Sequence, residues 1–148
     1  MNNQKGVSLV ELLLVVALIA MLGGLSLPFY RGYQIDQGLD TTSKDIVQAL
    51  REAQNMSVTG KSDDEWGVHF DLVNQEFGVY QGVVFSEYYY GPSGIDGFLN
   101  ISTDFGEDIY FLKTKGEPFP AGNVTIDADN GSQALIEINN LGLINLTI

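Results

Sequence analysis

The chain has 148 residues, 7 of them Lys or Arg and 19 Asp or Glu, so that 7 − 19 leaves a net charge of −12, and it contains one His and no Cys. One domain is the ceiling for that length; the acidic balance removes the main source of nucleic-acid affinity, and no nucleic acid is expected as a partner. The lack of Cys excludes a disulfide framework, a thiolate nucleophile, Cys-ligated zinc and iron–sulfur clusters.

Hydrophobic residues nevertheless reach 45%, and they are concentrated at the front. Residues 12–27, LLLVVALIAMLGGLSL, carry no charge; reaching back to Val7 adds only Ser8 and Glu11 as polar residues. As a helix, residues 7–27 would span about 31 Å, one hydrocarbon thickness. A buried core helix fits less well, because the remaining residues would have to wrap an element that is apolar on every side. So does a secretory signal: Lys5 is its single positive charge, the run exceeds the usual ~7–15 residues and no small-x-small site ends it. Pro28, Phe29, Tyr30 and Arg31 close the run as an interfacial belt does. Residues 7–32 therefore read as a membrane-spanning helix. Glu11 is its anomaly, since a carboxylate near a bilayer centre costs about 2.5–3.5 kcal/mol and requires either snorkelling or a specific partner.

Residues 33–60 continue as an amphipathic helix. Ile35, Leu39, Ile46, Leu50, Ala53 and Ser57 make one apolar stripe, while Asp36, Asp40, Asp45, Arg51 and Glu52 lie between them. One helix from near Val7 to Ser57 is expected, with Gly23, Gly24, Pro28, Gly32 and Gly38 as its weak points and Gly60 as its stop. From Trp66 onward the period changes to two, which predicts strands. Trp66, Val68, Phe70 and Leu72 point one way and Gly67, His69 and Asp71 the other. Partner segments are expected at residues 77–85, 98–103, 108–114, 123–128, 133–139 and 143–148, with a tight hairpin at Asn130-Gly131. The fold class is α+β, one long helix packed on an antiparallel sheet, with residues 61–148 as a β-rich globular domain.

Candidate chemistry in this domain is sparse. His69, the single histidine, precludes most acid–base schemes and any two-His metal site, and on the alternation it is an exposed surface residue. Asp127, Asp129 and Asn130 before Gly131 fail the calcium-loop spacing, because positions 5, 6 and 12 fall on Gly131, Ser132 and Ile138; a hairpin turn is expected there. Asp63-Asp64-Glu65 reads as a solvated loop, with a weak calcium site as the other reading. In Tyr88-Tyr89-Tyr90 alternation predicts Tyr89 inward with Tyr88 and Tyr90 shielding a loop, and a partner-binding patch is the other reading. No catalytic residue, metal site or cofactor is expected, and no enzyme.

The N-terminal run Lys5-Gly6-Val7-Ser8-Leu9-Val10-Glu11-Leu12 closely resembles the type IV prepilin processing signal. The resemblance implies cleavage between Gly6 and Val7, which removes the leader at residues 1–6, and N-methylation of Val7, which stands where Phe is most usual. It makes Glu11 the fifth residue of the mature chain, the acid that pairs in assembly with the N-terminal amine of a neighbouring subunit, and places the helix-bending proline at Pro28. The globular part is similar to the GspH/FimT family of minor pseudopilins and minor pilins, through residues 45–53, Trp66-Gly67-Val68-His69-Phe70 and residues 111–116, 122–126 and 136–144. The expected function is then a structural subunit of a type IV pilus or type II secretion filament; a pilus-displayed adhesin or uptake receptor is the alternative. Implied partners are other pilins or pseudopilins, the prepilin peptidase, the platform membrane protein with its assembly ATPase, and membrane lipid. The implied location is the inner (cytoplasmic) membrane, crossed once with the globular domain outside the cytoplasm, and after assembly a periplasmic or cell-surface filament.

Overall fold

Helical periodicity becomes the element α1 (Leu9–Val58), after three non-helical residues, Gly6, Val7 and Ser8. The computed structural model describes residues 6–148, with the side chains of residues 24–29 outside the described set. The chain divides into two units, Met1–Gln34 and Ile35–Ile148. In the first, the described apolar side chains of α1 are exposed. In the second, Leu39, Ile46, Leu50, Ala53 and Ser57 are buried as the stripe predicts, and Ile35 is partly buried. Gly38, expected as a weak point, is a packing position: a Cβ there would lie 2.7 Å from the Phe98 ring. The helix ends one residue beyond Ser57, and Gly60 turns the chain at φ 67°.

The strands are β1 (Trp66–Asp71), β2 (Glu76–Gln81), β3 (Ser93–Gly94), β4 (Leu99–Thr103), β5 (Asp108–Phe111), β6 (Pro118–Phe119), β7 (Gly122–Ala128), β8 (Gln133–Ile138) and β9 (Ile144–Thr147). They form two antiparallel sheets, ordered β3-β2-β1-β5-β6 and β4-β7-β8-β9, where the sequence suggested one. Period-two patterning reveals which side of a strand is buried but not which strands share a ladder. β3 and β6, two residues each, are too short for alternation to register. β2 stops at Gln81, short of the expected Phe85, because Gly82 at φ 103° diverts the backbone. The core joins Leu39, Ile46, Leu50 and Met56 of α1 to Trp66, Val68, Phe70, Phe77 and Phe111 of one sheet and Ile101, Val124, Ile126 and Ile136 of the other.

Asn130-Gly131 does turn a hairpin. Ala128 N–H donates to Ser132 O at 2.9 Å and Gly131 N–H to Ala128 O at 2.9 Å, with Gly131 alone of the loop at positive φ. That is a three-residue loop with glycine in the left-handed position. Asp36 of α1 holds it, accepting from Asn130 Nδ2 at 2.8 Å and Ser132 Oγ at 3.1 Å. Gln54 performs a similar service at the other end of the amphipathic helix, its Nε2 donating to Gly116 O at 2.9 Å and Gly142 O at 2.8 Å. One turn later Ser57 Oγ accepts from Trp66 N–H at 2.8 Å, and Thr114 N–H donates to Ser57 O at 3.1 Å. Three of the segments that carry the GspH/FimT resemblance, those holding Trp66, Thr114 and Gly116, and Gly142, thus meet at the last turns of α1.

Candidate functional site

The Gly6–Val7 bond lies in exposed, non-helical backbone immediately before α1. α1 opens with Leu12 N–H donating to Ser8 O at 3.1 Å, so Ser8 is the N-cap and Glu11 falls in the first turn. Ser8-x-x-Glu11 has the form of a capping box, a signal legible in the sequence and missed there. The unsatisfied amides and dipole of a helix N-terminus favour an anion at that position. Val7, Glu11, Leu12 and Val15 line a shallow hollow of about 230 Å³. No hydrogen bond or ion pair from the described residues reaches the Glu11 carboxylate. The structure therefore brings Val7 and Glu11 to one face. Pro28 lies within α1 by its backbone, and its side chain is outside the described residues, as are residues 1–5 of the leader. Among the described residues no helix is long and apolar enough to cross a membrane. The apolar stretch whose side chains are described, residues 9–23, amounts to about 22 Å of rise, whereas the expected span needs residues 24–27 as well.

The globular residues depart from expectation in two places. His69 is buried at 9% exposure, not a surface residue. Its Nδ1 lies 2.9 Å from Asp108 Oδ1, and its ring stacks on Phe85 at 3.8 Å with an interplanar angle of 6°. Alternation correctly puts it on the outer face of β1, but the loop of residues 82–92 covers that face. Tyr88 is the inward member of the Tyr run, close to His69 and Phe85 at 5.8 and 4.9 Å, while Tyr89 and Tyr90 stay 44% and 54% exposed. This inverts the expected alternation, because the run lies in a loop anchored by Tyr89 N–H to Val79 O at 2.7 Å and not in the extension of β2. Gly78 makes the room: a Cβ there would stand 2.7 Å from the Tyr88 ring. Burial, reinforced by Glu76, Asp71, Asp108 and Glu107, pushes the Tyr88 phenol up to about 12. Tyr80 is fully buried across Gly67; among the described residues its hydroxyl has no hydrogen-bond partner, and burial pushes that phenol up as well, with Asp108 and Tyr110 adding to it.

Asp63 is committed to Lys113, whose ammonium donates to the Asp63 carboxylate and, at 3.1 Å, to Asp63 O. That hydrogen bond, then the Lys113 charge, holds the Asp63 carboxyl below the usual range. Hydrogen bonds from Asn74, through its backbone and side chain, do the same for Asp71 in the β1–β2 turn. Among the described residues no group of three or more His, Asp or Glu is placed to hold a metal ion.

A family model described as the prokaryotic N-terminal methylation motif matches residues 1–27. Two solved structures, both of the minor pseudopilin EpsH from the type II secretion system of Vibrio cholerae, share the fold at 12% identity. Their TM-scores are 0.57 and 0.55, and each match covers 74% of this chain and 95% or 93% of the other. No curated protein matches the chain. The chain thus carries a prokaryotic N-terminal methylation motif over residues 1–27 and an α+β fold shared with a minor pseudopilin.

Proposed function

We propose that the chain is a non-enzymatic structural subunit, a minor pilin or pseudopilin, of a type IV pilus or a type II secretion filament. The observation that carries this reading is the methylation motif over residues 1–27, with Glu11 and an exposed Gly6–Val7 bond inside it. Prepilin peptidase cuts after Gly6, and Val7 becomes the methylated N-terminus. Residues 7–32 hold the subunit in the inner membrane, with Pro28 as the bend and residues 61–148 outside the cytoplasm. The platform protein and its ATPase then move it into a filament of other pilins.

The chemistry of assembly follows from charge burial. Cleavage creates an ammonium on Val7, and a lone carboxylate or ammonium among apolar helices is costly. When the Glu11 carboxylate of one subunit meets the Val7 amine of the next, each neutralises the other, and registers that leave them apart are penalised.

Coexpression with a prepilin peptidase should remove residues 1–6 and add a methyl group at Val7, read by intact mass; an unprocessed chain or a cut near Ser26 overturns the reading. Glu11→Val should preserve membrane insertion and cleavage, since a charge leaves the span and the scissile bond is untouched. It should abolish crosslinking to other pilins at equal membrane levels, because burying the unpaired amine costs about 3–5 kcal/mol. Unchanged crosslinking would mean that Glu11 only caps its own helix or snorkels.

A further inference from the structure

Between α1 and β2 the second unit carries a cleft of about 310 Å³ whose walls and floor differ in chemistry. Asp45 and Glu52, seven residues apart on one side of α1, line it, separated by about 10 Å of helix rise. Ala49, Phe77 and Val79 supply an apolar floor, and Tyr90 stands at its margin. No Lys or Arg lines the cleft, and no hydrogen bond or ion pair from the described residues engages either carboxylate. An apolar floor between two carboxylates suits a side chain with an aliphatic stem and a cationic head.

The rings beside it are exposed yet fixed. Tyr90 packs edge-on against Tyr89 with centroids 4.6 Å apart, and Tyr89 packs edge-on against the buried Trp66 at 4.8 Å. Rigid, solvent-facing Tyr supplies contact area at low entropic cost and is enriched among interface anchors. An independent observation indicates what such rings accept: the Lys61 ammonium lies over Tyr89, 4.5 Å from its centroid. The molecule already seats a cation on one member of the pair. Tyr90, the member that borders the unpaired carboxylates, has no such cation from the described residues.

We propose that this cleft docks a segment of another protein that presents two Lys or Arg side chains on one side, their heads on Asp45 and Glu52 and one of them against Tyr90. A polyproline II segment with a cation at every third residue repeats at about 9 Å and matches the spacing. Arg suits it best, pairing with carboxylates through its fork and stacking on aromatic faces. A second copy of this chain is a poor occupant, since two bodies of charge −12 repel. The surface lies wholly within residues 45–93, so its failure leaves the filament reading intact.

The test titrates the full chain in detergent micelles with a fluorescent peptide carrying an Arg-Pro-Pro-Arg core, read by anisotropy, beside its Gln-Pro-Pro-Gln counterpart. The Arg peptide should bind, more weakly as salt rises, and the Gln peptide should not. Asp45→Asn with Glu52→Gln should weaken it about tenfold, and Tyr90→Ala several-fold. A control pair, Asp127→Asn with Glu137→Gln, makes the same change in net charge on the other sheet and should leave binding as it was. Equal loss in the control pair, equal binding of the Gln peptide, or no binding would each overturn the proposal. In cells, a photo-crosslinker in place of Tyr90 should capture another protein at a segment bearing Lys or Arg, and lose it in the Asp45/Glu52 variant. Capture of a second copy of this chain, or of a segment without cations, would overturn it too.

Discussion

In the first unit the described large apolar side chains of α1 stand between 48% exposed at Val15 and 74% at Leu9, whereas Leu39, Ile46 and Leu50 further along the same helix are at 1% or less. Both stretches are helical, and both are rich in Leu, Ile and Val. The difference lies in what each stretch was given to pack against. Residues 35–58 present a stripe, and the strands that follow supply a matching apolar face, so burial is completed within the chain. Residues 12–23 are apolar on all sides, and no single sheet could cover them. Their burial needs lipid or other helices, which is the physical content of the filament proposal.

Separating the two units tests that contrast most severely. A chain beginning near Ile35 is expected to be a soluble, strand-rich monomer, because every buried residue of the second unit is retained; insolubility or a random-coil spectrum would show that the closed core depends on the first unit. Next in size is a pair of truncations to alanine. Phe70, fully buried and 6.3 and 6.0 Å from the Phe77 and Phe105 rings, should cost about 3–5 kcal/mol when cut to Ala. Leu13→Ala, on a side chain 59% exposed, should leave the same unfolding transition unchanged in detergent. Equal losses would erase the distinction.

A smaller effect is expected at Gln54. Its replacement by Ala leaves the Gly116 and Gly142 carbonyls without their shared donor, at a cost of about 1–3 kcal/mol. Thermal unfolding followed by circular dichroism measures it, and exchange should rise first at the amides of residues 112–116 and 139–143. Smallest is an alkaline effect on the loop of residues 82–92. The folded Tyr88 value, about 12, lies above the ordinary 10, so its contribution to stability is complete below pH 10 and is lost as pH rises through 12. Gly78→Ala, by forcing Tyr88 out of its slot, should return one tyrosine to ordinary titration in the ultraviolet difference spectrum. Unchanged titration would mean that Tyr88 is not held where Gly78 admits it.

Legibility in the sequence tracked periodicity and spacing. The stripe from Ile35 to Ser57, the stop at Gly60, seven of the nine strands among the described residues and the Asn130-Gly131 turn were all readable, because each is set by residues close in the chain. His69 and Tyr88 were misplaced for one shared reason. Alternation gave the correct side of β1 for His69 and could not foresee that residues 82–92 would fold back over it. Gln54 gave no signal at all, since its two acceptors lie 62 and 88 residues away.

By itself, then, the sequence determined the N-terminal motif, the apolar and amphipathic halves of the helix and the α+β class, all of which follow from composition and short-range pattern. The tertiary structure alone decided that the strands split into two sheets, that His69 is sealed under a loop, and that Tyr89 and Tyr90 remain on the surface, Tyr90 in one cleft with Asp45 and Glu52. Those outcomes depend on which distant segments meet, and no local preference encodes such a meeting: Gly67 and Gly78 are only glycines until Tyr80 and Tyr88 arrive to fill the space they leave.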